Sequence, residues 1–404
     1  MLDIEAVRKD FPILNTKLHQ YPLVYLDNAA TMQMPEPVLE KIVAHYHENN
    51  GNVHRGIHSL SQRSTDAMEK ARETVADFMG ADSSEVIFTS GTTDSINQLA
   101  KMLEPQIGKG QQILVSAMEH HSNLIPWQQL CMKTGASLNI IPLDDKGDLD
   151  LNTMKNLLKK PTALVAVCWV SNVLGSVNPI GEIAVLTHEA GALLLVDAAQ
   201  GMKLGKTNVK ALDCDFMAFS GHKLGAATGI GVLYGKRSLL NQLNPVCFGG
   251  GMVGQVEYEL ASFTDIPGRF EAGTPNYAAA ISLGAAVEYL SGLGLEKLAF
   301  QEESLTKQLC DELSTVEGLH ILANPHHRSG CVSFCVDKVH PFDLGVMLDT
   351  LGFAVRTGHM CAQPLVESFG VNSVIRVSPA FYNQPSEISG LVSAIEKILP
   401  ILRR

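Results

Sequence analysis

A lysine and a carboxylate follow two apolar segments of the sequence and could act together in catalysis. The run Leu193–Val196 is followed by Asp197, and the run Phe216–Phe219 is followed four residues on by Lys223. Apolar runs of this length indicate buried strands, so both side chains are predicted at strand ends. A lysine amine forms Schiff bases, and a carboxylate can keep a pyridine nitrogen protonated, which are the two requirements of pyridoxal 5'-phosphate (PLP). For this pair alone, a loop lysine and a helix-capping carboxylate without a joint role are the alternative.

Hydroxyl and imidazole groups that could hold a phosphate lie at two places in the sequence. Thr92 and Thr93 stand at the predicted start of a helix, where free backbone N–H groups attract anions. Ser220 and His222 come just before Lys223 and could reach the same phosphate. The Gly-Thr-Thr sequence is equally compatible with a helix cap that binds no ligand. No GxxxxGK[ST] loop competes for phosphate binding.

Three further polar residues follow predicted strands and could contact a planar cofactor. His120 comes after the strand around Ile113, at the sheet edge where open α/β proteins bind ligands, and could stack on a ring and move protons. Asn172 ends another core strand, and Gln200 lies just past Asp197, so both amides could bond a ring oxygen. A capping histidine and a turn asparagine are the alternatives.

Basic residues could bind a substrate carboxylate. Arg376 lies in a strand-like run, where a charge is costly unless it is paired, and its guanidinium suits a two-pronged bond to a carboxylate. A structural salt bridge is the alternative. His54 and Arg55 precede a helical segment and could line the same cleft or belong to a surface loop.

Cys361 is the candidate nucleophile among the eight cysteines. It lies in a polar loop with Gly358 and Pro364, near Arg356 and His359. Positive neighbours favour the thiolate, and an exposed loop gives access to it. The cysteines in apolar runs are predicted to be buried thiols. No second Cys or His pair completes a zinc site, so no metal is expected.

Alternating strand-like and helical segments must position these groups. The strand-like segments of the first two thirds are Val24–Asp27, Val86–Thr89, Ile113–Ala117, Ser137–Pro142, Ala163–Val170, Leu193–Val196, Phe216–Phe219 and Gly229–Tyr234. The helical segments between them are Pro37–His47, Thr65–Met79, Thr92–Leu103, Asn152–Lys159 and Ile180–Ala190. Continuous apolar strands separated by helices predict an α/β fold with a mainly parallel sheet that is covered on both faces.

The pattern changes after about residue 290. Predicted helices at Leu295–Glu312, Pro341–Leu351 and Ile388–Leu399 alternate with shorter strands at Cys331–Val336, Phe353–Arg356 and Val374–Ser378. This arrangement predicts a smaller α+β domain. The predicted large domain spans 16–290, and the small domain combines 1–15 with 291–404 and carries the Cys361 loop.

The composition limits the classes of partner. The 404 residues carry a net charge of −11, which argues against nucleic acid or an anionic membrane as the main partner. No run approaches about 18 consecutive apolar residues, and the first residues contain no apolar signal-peptide core. A cytoplasmic protein with no membrane segment is therefore expected.

The motifs, taken in order, resemble the group II cysteine desulfurases, the SufS/CsdA-like branch of the fold-type I PLP-dependent enzymes in aminotransferase class V. The resemblance covers nearly the whole chain, and the order of the motifs makes it specific. It rests on Tyr25–Ala30, His54–Gly56, Ser90–Thr93, Glu119–His121, Val170–Asn172, Asp197–Gln200, Ser220–Lys223, Phe270–Asn276, Arg356–His359 with Cys361-Ala362, and Ile375–Ser378. The resemblance implies the fold-type I architecture, with a large seven-stranded-type sheet domain and a smaller C-terminal domain.

The resemblance also implies roles for the candidate residues. Lys223 would be the Schiff-base lysine, Asp197 would face the pyridine nitrogen, and His120 would stack on the ring. The other residues that would contact the cofactor are Thr92, Thr93, Asn172, Gln200, Ser220, His222 and, from the second subunit of a homodimer, Thr274. Those assigned to the substrate are Arg376, which would hold its carboxylate, with Arg356, Asn172, His54 and Arg55.

The implied reaction converts L-cysteine to L-alanine and leaves a persulfide on Cys361, which would supply sulfur for iron–sulfur cluster assembly. A selenocysteine lyase, another fold-type I PLP enzyme and a non-enzymatic scaffold are the alternatives. Family members that serve zinc-bound SufU-type acceptors tend to have a histidine near the position of Phe342. The nearest histidine here is His340, so a SufE-like sulfur acceptor is mildly favoured over a SufU-like one. The sequence departs from the family at Leu224–Gly229, which lacks the usual Gly-Pro turn, and at Met360, where a second histidine is common.

Overall fold

The computed structural model describes residues 2–54, 56–205 and 207–403. The strands, labelled β1 to β17 in chain order, are Lys17–Leu18, Tyr21–Pro22, Val24–Tyr25, Val86–Thr89, Gln112–Ser116, Ser137–Ile141, Thr162–Cys168, Leu193–Asp197, Phe216–Ser220, Gly231–Gly235, Val253–Val256, Ala261–Phe263, Leu319–Ile321, Val332–Val336, Phe353–Ala354, Arg356–Gly358 and Val374–Val377. The α-helices, α1 to α14, are Ile4–Arg8, Glu36–Ala44, Ser59–Met79, Thr92–Leu103, Ile125–Thr134, Leu151–Leu157, Ile180–Glu189, Val209–Leu212, Arg237–Leu240, Tyr277–Leu293, Leu295–Leu313, Pro341–Thr350, Gln363–Ser368 and Pro385–Leu402.

A seven-stranded sheet forms the centre of the molecule, in the order β4-β10-β9-β8-β7-β5-β6. Strand β10 runs antiparallel to both of its neighbours, and the remaining pairs are parallel. Both faces are buried: Leu194 and Val196 pack into one hydrophobic cluster, whereas Leu195 between them packs into another. Successive side chains of a strand point in opposite directions, so these apolar strands present an apolar surface on both faces of the sheet, and helices cover both. The predicted mainly parallel α/β sheet is confirmed.

The carboxyl ends of the parallel strands meet at one edge of this sheet. Strands β7 and β8 are in a register that pairs Cys168 with Asp197, and Asp197 pairs in turn with Ala218 of β9. Strand β9 then ends at Ser220, and the 3₁₀ turn Gly221–Leu224 follows directly. The chain therefore brings polar residues from several strands to the same place.

The C-terminal part of the chain builds a second, four-stranded sheet in the order β13-β14-β17-β16, all antiparallel. Helices α11, α12 and α14 share a hydrophobic cluster with this sheet. At the other end of the chain, Phe11 packs into the cluster of the large sheet, whereas Arg8 pairs with Glu387 of α14. Residues 1–15 thus contact both units, and the division into 16–290 and the two outer segments stays a prediction.

Several elements differ from the sequence expectations. The helix predicted over Thr65–Met79 begins at Ser59, and the one over Pro37–His47 continues as a π-helix over His45–Asn49. Helices α5 and α10 and the β11–β12 hairpin were not predicted. Among the described residues, no single helix is long and apolar enough to cross a membrane, and only α10 and α11, bent by 80° at their junction, reach that composition together.

Candidate active site

A cavity of about 310 Å³ opens at the carboxyl edge of the large sheet. Twelve of the predicted site residues line it, together with neighbouring side chains. The lining comprises Ala29, Ala30, Thr92, Thr93, His120, Ser122, Cys168, Val170, Asn172, Asp197, Ala199, Gln200, Ser220, His222, Lys223, Arg356, Met360, Cys361 and Arg376. The cavity therefore combines nine of the ten predicted cofactor residues with the predicted nucleophile.

Lys223 and Asp197 face this cavity from neighbouring strand ends. Asp197 is 4% exposed and accepts a hydrogen bond from the backbone N–H of Ala199 (2.9 Å). Burial raises the pKa of its carboxyl group. Burial also lowers the pKa of the Lys223 ammonium to about 8, against an opposing contribution from Asp197. Within the described part of the chain, the Lys223 amine has no hydrogen-bond or salt-bridge partner, so it is free to bond a ligand.

The start of helix α4 forms a polar pocket against the end of β9. The Thr92 N–H donates to Ser220 Oγ at 2.9 Å, and the two hydroxyl oxygens lie 2.8 Å apart. The helix cap, Gly91, lies so close to Gly231 that a Cβ on Gly231 would come within 2.4 Å of the Gly91 Cα. Thr93 bonds Ser122 by its hydroxyl group (2.7 Å). Free N–H groups and hydroxyls at a helix start suit a phosphate.

His222 is placed on the same side of the cavity. Its Nδ1 lies 3.2 Å from Thr31 Oγ1, and burial together with Lys223 lowers its pKa. The loop after Lys223 lacks the family's proline, yet it is fixed in another way: the Ala227 N–H donates to Ser282 Oγ of α10 at 3.0 Å.

His120 stands at the beginning of a short turn after β5. Its Nδ1 accepts the Ser122 N–H at 3.1 Å, so the neutral ring carries its proton on Nε2. Burial, reinforced by the positive charges of Lys223 and Arg376, lowers the pKa of His120 to about 4. The imidazole is therefore neutral at physiological pH and offers an Nε2–H donor.

Glu119 supports this turn, and the sequence analysis assigned it no role. It is 3% exposed, and its two oxygens accept bonds from the Ser116 hydroxyl, Asn123 Nδ2 (2.6 Å) and the Cys168 N–H (2.8 Å). Burial raises its pKa to about 8. From the sequence, the preceding strand indicates only that Glu119 lies at a sheet edge. Its hydrogen-bond partners could not be predicted, because they come from β5, β7 and the turn itself.

Arg376 and Arg356 share the carboxylate of Asp27 at the rim of the cavity. Arg376 is 2% exposed, and it donates from Nη2 to Asp27 (2.9 Å) and from Nη1 to the carbonyl of Asn172 (3.0 Å). Its buried Nε has no partner among the described residues. Arg356 binds Asp27 through Nε and Nη2, and this contact raises its pKa. The pair is thus oriented by Asp27, which the sequence analysis did not identify.

Two amides complete the cavity wall. Asn172 Nδ2 donates to the carbonyl of Met360 at 2.7 Å, and Gln200 Nε2 donates to the carbonyl of Ala29 at 2.6 Å. Each amide group has a second N–H for a ligand. Cys361 is exposed, whereas Met360, at the position of the family's second histidine, is 7% exposed and packs into the main hydrophobic cluster.

Two predicted residues, Thr274 and His54, do not line the cavity of this chain. Thr274 is exposed in the loop before α10. His54 is also exposed, and its backbone N–H donates to Thr65 Oγ1 at 2.8 Å. Arg55 lies outside the described residues.

The side chains in the cavity fit PLP. A lysine amine without a partner faces the same space as a buried carboxylate, a helix start with hydroxyl groups and a neutral imidazole. These are the groups required for an aldehyde, a pyridine nitrogen, a phosphate and an aromatic ring, respectively.

The model of the aminotransferase class-V family matches residues 24–391. The chain belongs to this family. A relative from Halalkalibacterium halodurans, described as a probable cysteine desulfurase, is 43% identical over 98% of each chain.

Solved structures give the same result. A cysteine desulfurase from Thermococcus onnurineus is 38% identical with a TM-score of 0.94, covering 99% of this chain and 98% of its own. The cysteine desulfurase CsdA from Escherichia coli is 36% identical with a TM-score of 0.92 and 99% coverage of both chains. The fold-type I architecture implied by the resemblance is confirmed.

Proposed function

We propose that this protein is a PLP-dependent cysteine desulfurase that converts L-cysteine to L-alanine and retains the sulfur as a persulfide on Cys361. One observation carries the proposal: the exposed thiol of Cys361 lines the same cavity as Lys223, Asp197 and Arg376. The full-length similarity to cysteine desulfurases supports the same activity.

The residues proposed to hold PLP come from several elements. Lys223 would bond its aldehyde carbon, Asp197 would face its ring nitrogen, and His120 would stack on the ring. The phosphate and the ring oxygen are assigned to Thr92, Thr93, Ser220, His222, Asn172 and Gln200. When bound, PLP supplies the electron sink that weakens the bonds around the amino acid's α-carbon.

Arg376 binds the substrate carboxylate in this proposal. Its guanidinium group is buried at the cavity wall, and a substrate carboxylate that enters the cavity would pair with this charge. Arg356, half exposed at the rim, adds a second charge-assisted bond. Asp27 bonds both guanidinium groups and fixes their positions relative to each other.

One group is placed to move a proton and a second to hold the substrate. Lys223 Nζ, with its pKa lowered to about 8, exists partly as the neutral amine near pH 7 and can accept the proton of the substrate α-carbon. His120 is neutral, and its Nε2–H can donate a hydrogen bond to a second atom of the substrate and so orient it.

The sulfur transfer balances without an external oxidant. The Cys361 thiolate attacks the substrate sulfur, and a sulfur–sulfur bond forms as the carbon–sulfur bond breaks. The electron pair of the broken bond stays with carbon, which gains a proton and becomes the methyl group of alanine. Sulfur is oxidised to the persulfide level while carbon is reduced.

The finer assignments are part of the proposal. A homodimer would let the exposed Thr274 reach the partner's cavity. A SufE-like protein would then take the persulfide sulfur toward iron–sulfur cluster assembly in the cytoplasm. Selenocysteine lyase remains the competing activity, because selenium leaves carbon without needing Cys361.

The test is to incubate the purified protein with L-cysteine and with L-selenocysteine and to measure alanine and protein-bound sulfur. We expect alanine from L-cysteine together with a protein persulfide in equal amount before an acceptor is added. Alanine from selenocysteine alone would contradict the proposal and favour the lyase.

A further inference from the structure

We propose that His121, the neighbour of the ring-facing His120, is a positioning residue that holds the Cys361 loop in place for sulfur transfer. The inference deepens the proposed function and rests on it, since it concerns how the nucleophile is held. The assignment comes from contacts that join the His120–Asn123 turn to residues 360–363.

His121 takes part in two hydrogen bonds with the Cys361 loop, one as a donor and one as an acceptor. The backbone N–H of His121 donates to the carbonyl of Cys361 at 2.7 Å. On the other side, its ring Nε2 accepts the backbone N–H of Gln363 at 3.1 Å. A single residue, about 240 positions away in the sequence, thus fixes the main chain before and after Ala362.

The ring bond fills a gap that the loop leaves open. Gln363 is the first residue of α13, and the residue at its cap position, Ala362, has no polar side chain. The first N–H groups of a helix have no partner within the helix and need one from a side chain or from water. The imidazole of His121 supplies that partner from a different part of the fold.

The loop conformation needs such support. Met360 and Cys361 both have left-handed backbones, with φ of 54° and 55°. Non-glycine residues rarely adopt this conformation, and they keep it where surrounding contacts hold them there. Asn172 holds the opposite side through its 2.7 Å bond to the Met360 carbonyl, so the loop is tied at both flanks.

His121 is itself rigidly placed. It begins the turn His121–Asn123, and Asn123 is buried and donates to a side-chain oxygen of Glu119. Burial and the nearby His359 lower the pKa of His121, which keeps its ring neutral and able to accept. Because His120 faces the cavity from the adjacent position, the turn sets the distance between the cofactor face and the nucleophile loop.

Hydrogen exchange of the full-length protein, read by mass spectrometry, tests this placement. His121→Phe keeps a ring but removes the acceptor, and should speed exchange of the Gln363 amide about fivefold, the effect of one neutral hydrogen bond. His121→Gln retains a carbonyl acceptor and should restore protection. His340→Phe is the matched control, because His340 Nδ1 caps α12 by accepting the Phe342 N–H at 3.2 Å.

Kinetics provide the second readout. His121→Phe should lower kcat for L-cysteine about fivefold with little change in KM, and His121→Gln should recover most of the loss. Wild-type exchange at Gln363 in His121→Phe, or an equal effect from His340→Phe, would overturn the proposal. If His121→Phe loses protection throughout the large sheet, the same comparison is made between His121→Gln and His121→Asn, whose shorter amide does not reach Gln363.

These measurements separate the two proposals. The exchange experiment needs no desulfurase activity, so wild-type protein without turnover would refute the proposed function alone. Turnover with unaltered loop protection in every His121 variant would refute only the positioning role.

Discussion

The pKa of Lys223 is set by two opposing effects, its burial and the charge of Asp197. Burial favours the neutral amine, whereas the buried carboxylate of Asp197 favours the ammonium ion. Burial prevails and places the pKa at about 8, more than two units below the ordinary value of a lysine.

This balance predicts the pH dependence of cofactor uptake. Because only the neutral amine attacks an aldehyde, the rate at which PLP binds to cofactor-free protein should rise with pH up to about 8 and then level off. Asp197→Asn removes the charge that raises the pKa of Lys223, so the midpoint of its pH–rate profile should lie at a lower pH than that of the wild type. Stopped-flow absorbance measures both rates. A wild-type midpoint near that of an ordinary lysine would disagree with the burial described above.

A second prediction at this scale concerns the two arginines. Arg376→Lys should raise KM for L-cysteine about tenfold or more, because an ammonium cannot bond Asn172, Asp27 and the substrate at once. Arg356→Lys should have a smaller effect, since Arg356 is half exposed. Steady-state kinetics compare the two variants, and an equal loss in both would argue against Arg376 as the main carboxylate ligand.

Individual site residues were predictable where their own chemistry is distinctive. Lys223, Asp197 and Cys361 follow strands or lie in a polar loop, and the cavity contains all three. Glu119 and Asp27 had no assigned role, because their function depends on partners that are distant in the sequence. Asp27, for example, binds side chains about 330 and 349 positions away.

At the scale of elements, the sequence predicted strands better than loops and apolar helices. The core strands were placed within about two residues, since continuous apolar runs mark buried strands. Helix α10 was missed because it is Ala-rich and buried over much of its surface, with no polar face to reveal its period. The β11–β12 hairpin is largely exposed and lacks an apolar pattern.

The loop before α10 depends on a buried ion pair. Arg72 of α3 is 3% exposed and bonds both oxygens of Glu271, which also accepts the Phe88 N–H at 2.7 Å. Removing one partner of a buried pair leaves an uncompensated charge, so Arg72→Ala should reduce the free energy of unfolding by about 3–5 kcal/mol.

Chemical denaturation measures this effect. Lys70→Ala on the same helix is the control, because the Lys70–Glu73 pair is exposed and should contribute little. Similar denaturation midpoints for Arg72→Ala and the wild type would contradict this prediction and show that Glu271 finds another partner.

At the scale of the whole molecule, the site is proposed to be completed by a second copy of the chain. Thr274→Ala should then weaken PLP binding, although Thr274 lies outside the cavity of its own chain. Mixing Thr274→Ala with Lys223→Ala subunits should restore one intact site in each mixed dimer. Fluorescence titration and sizing of the mixtures measure this. A monomer with wild-type affinity for PLP would contradict the shared site.

Cys361 is proposed to receive the sulfur of L-cysteine. The most direct measurement treats the protein with L-cysteine and locates the added sulfur by peptide mass spectrometry. We expect one extra sulfur atom on Cys361 and none on Cys247, which is also exposed and serves as an internal control. Cys361→Ser should lose desulfurase turnover while the cofactor absorbance still responds to L-cysteine. Full turnover in Cys361→Ser, or extra sulfur on Cys247 instead, would contradict the account.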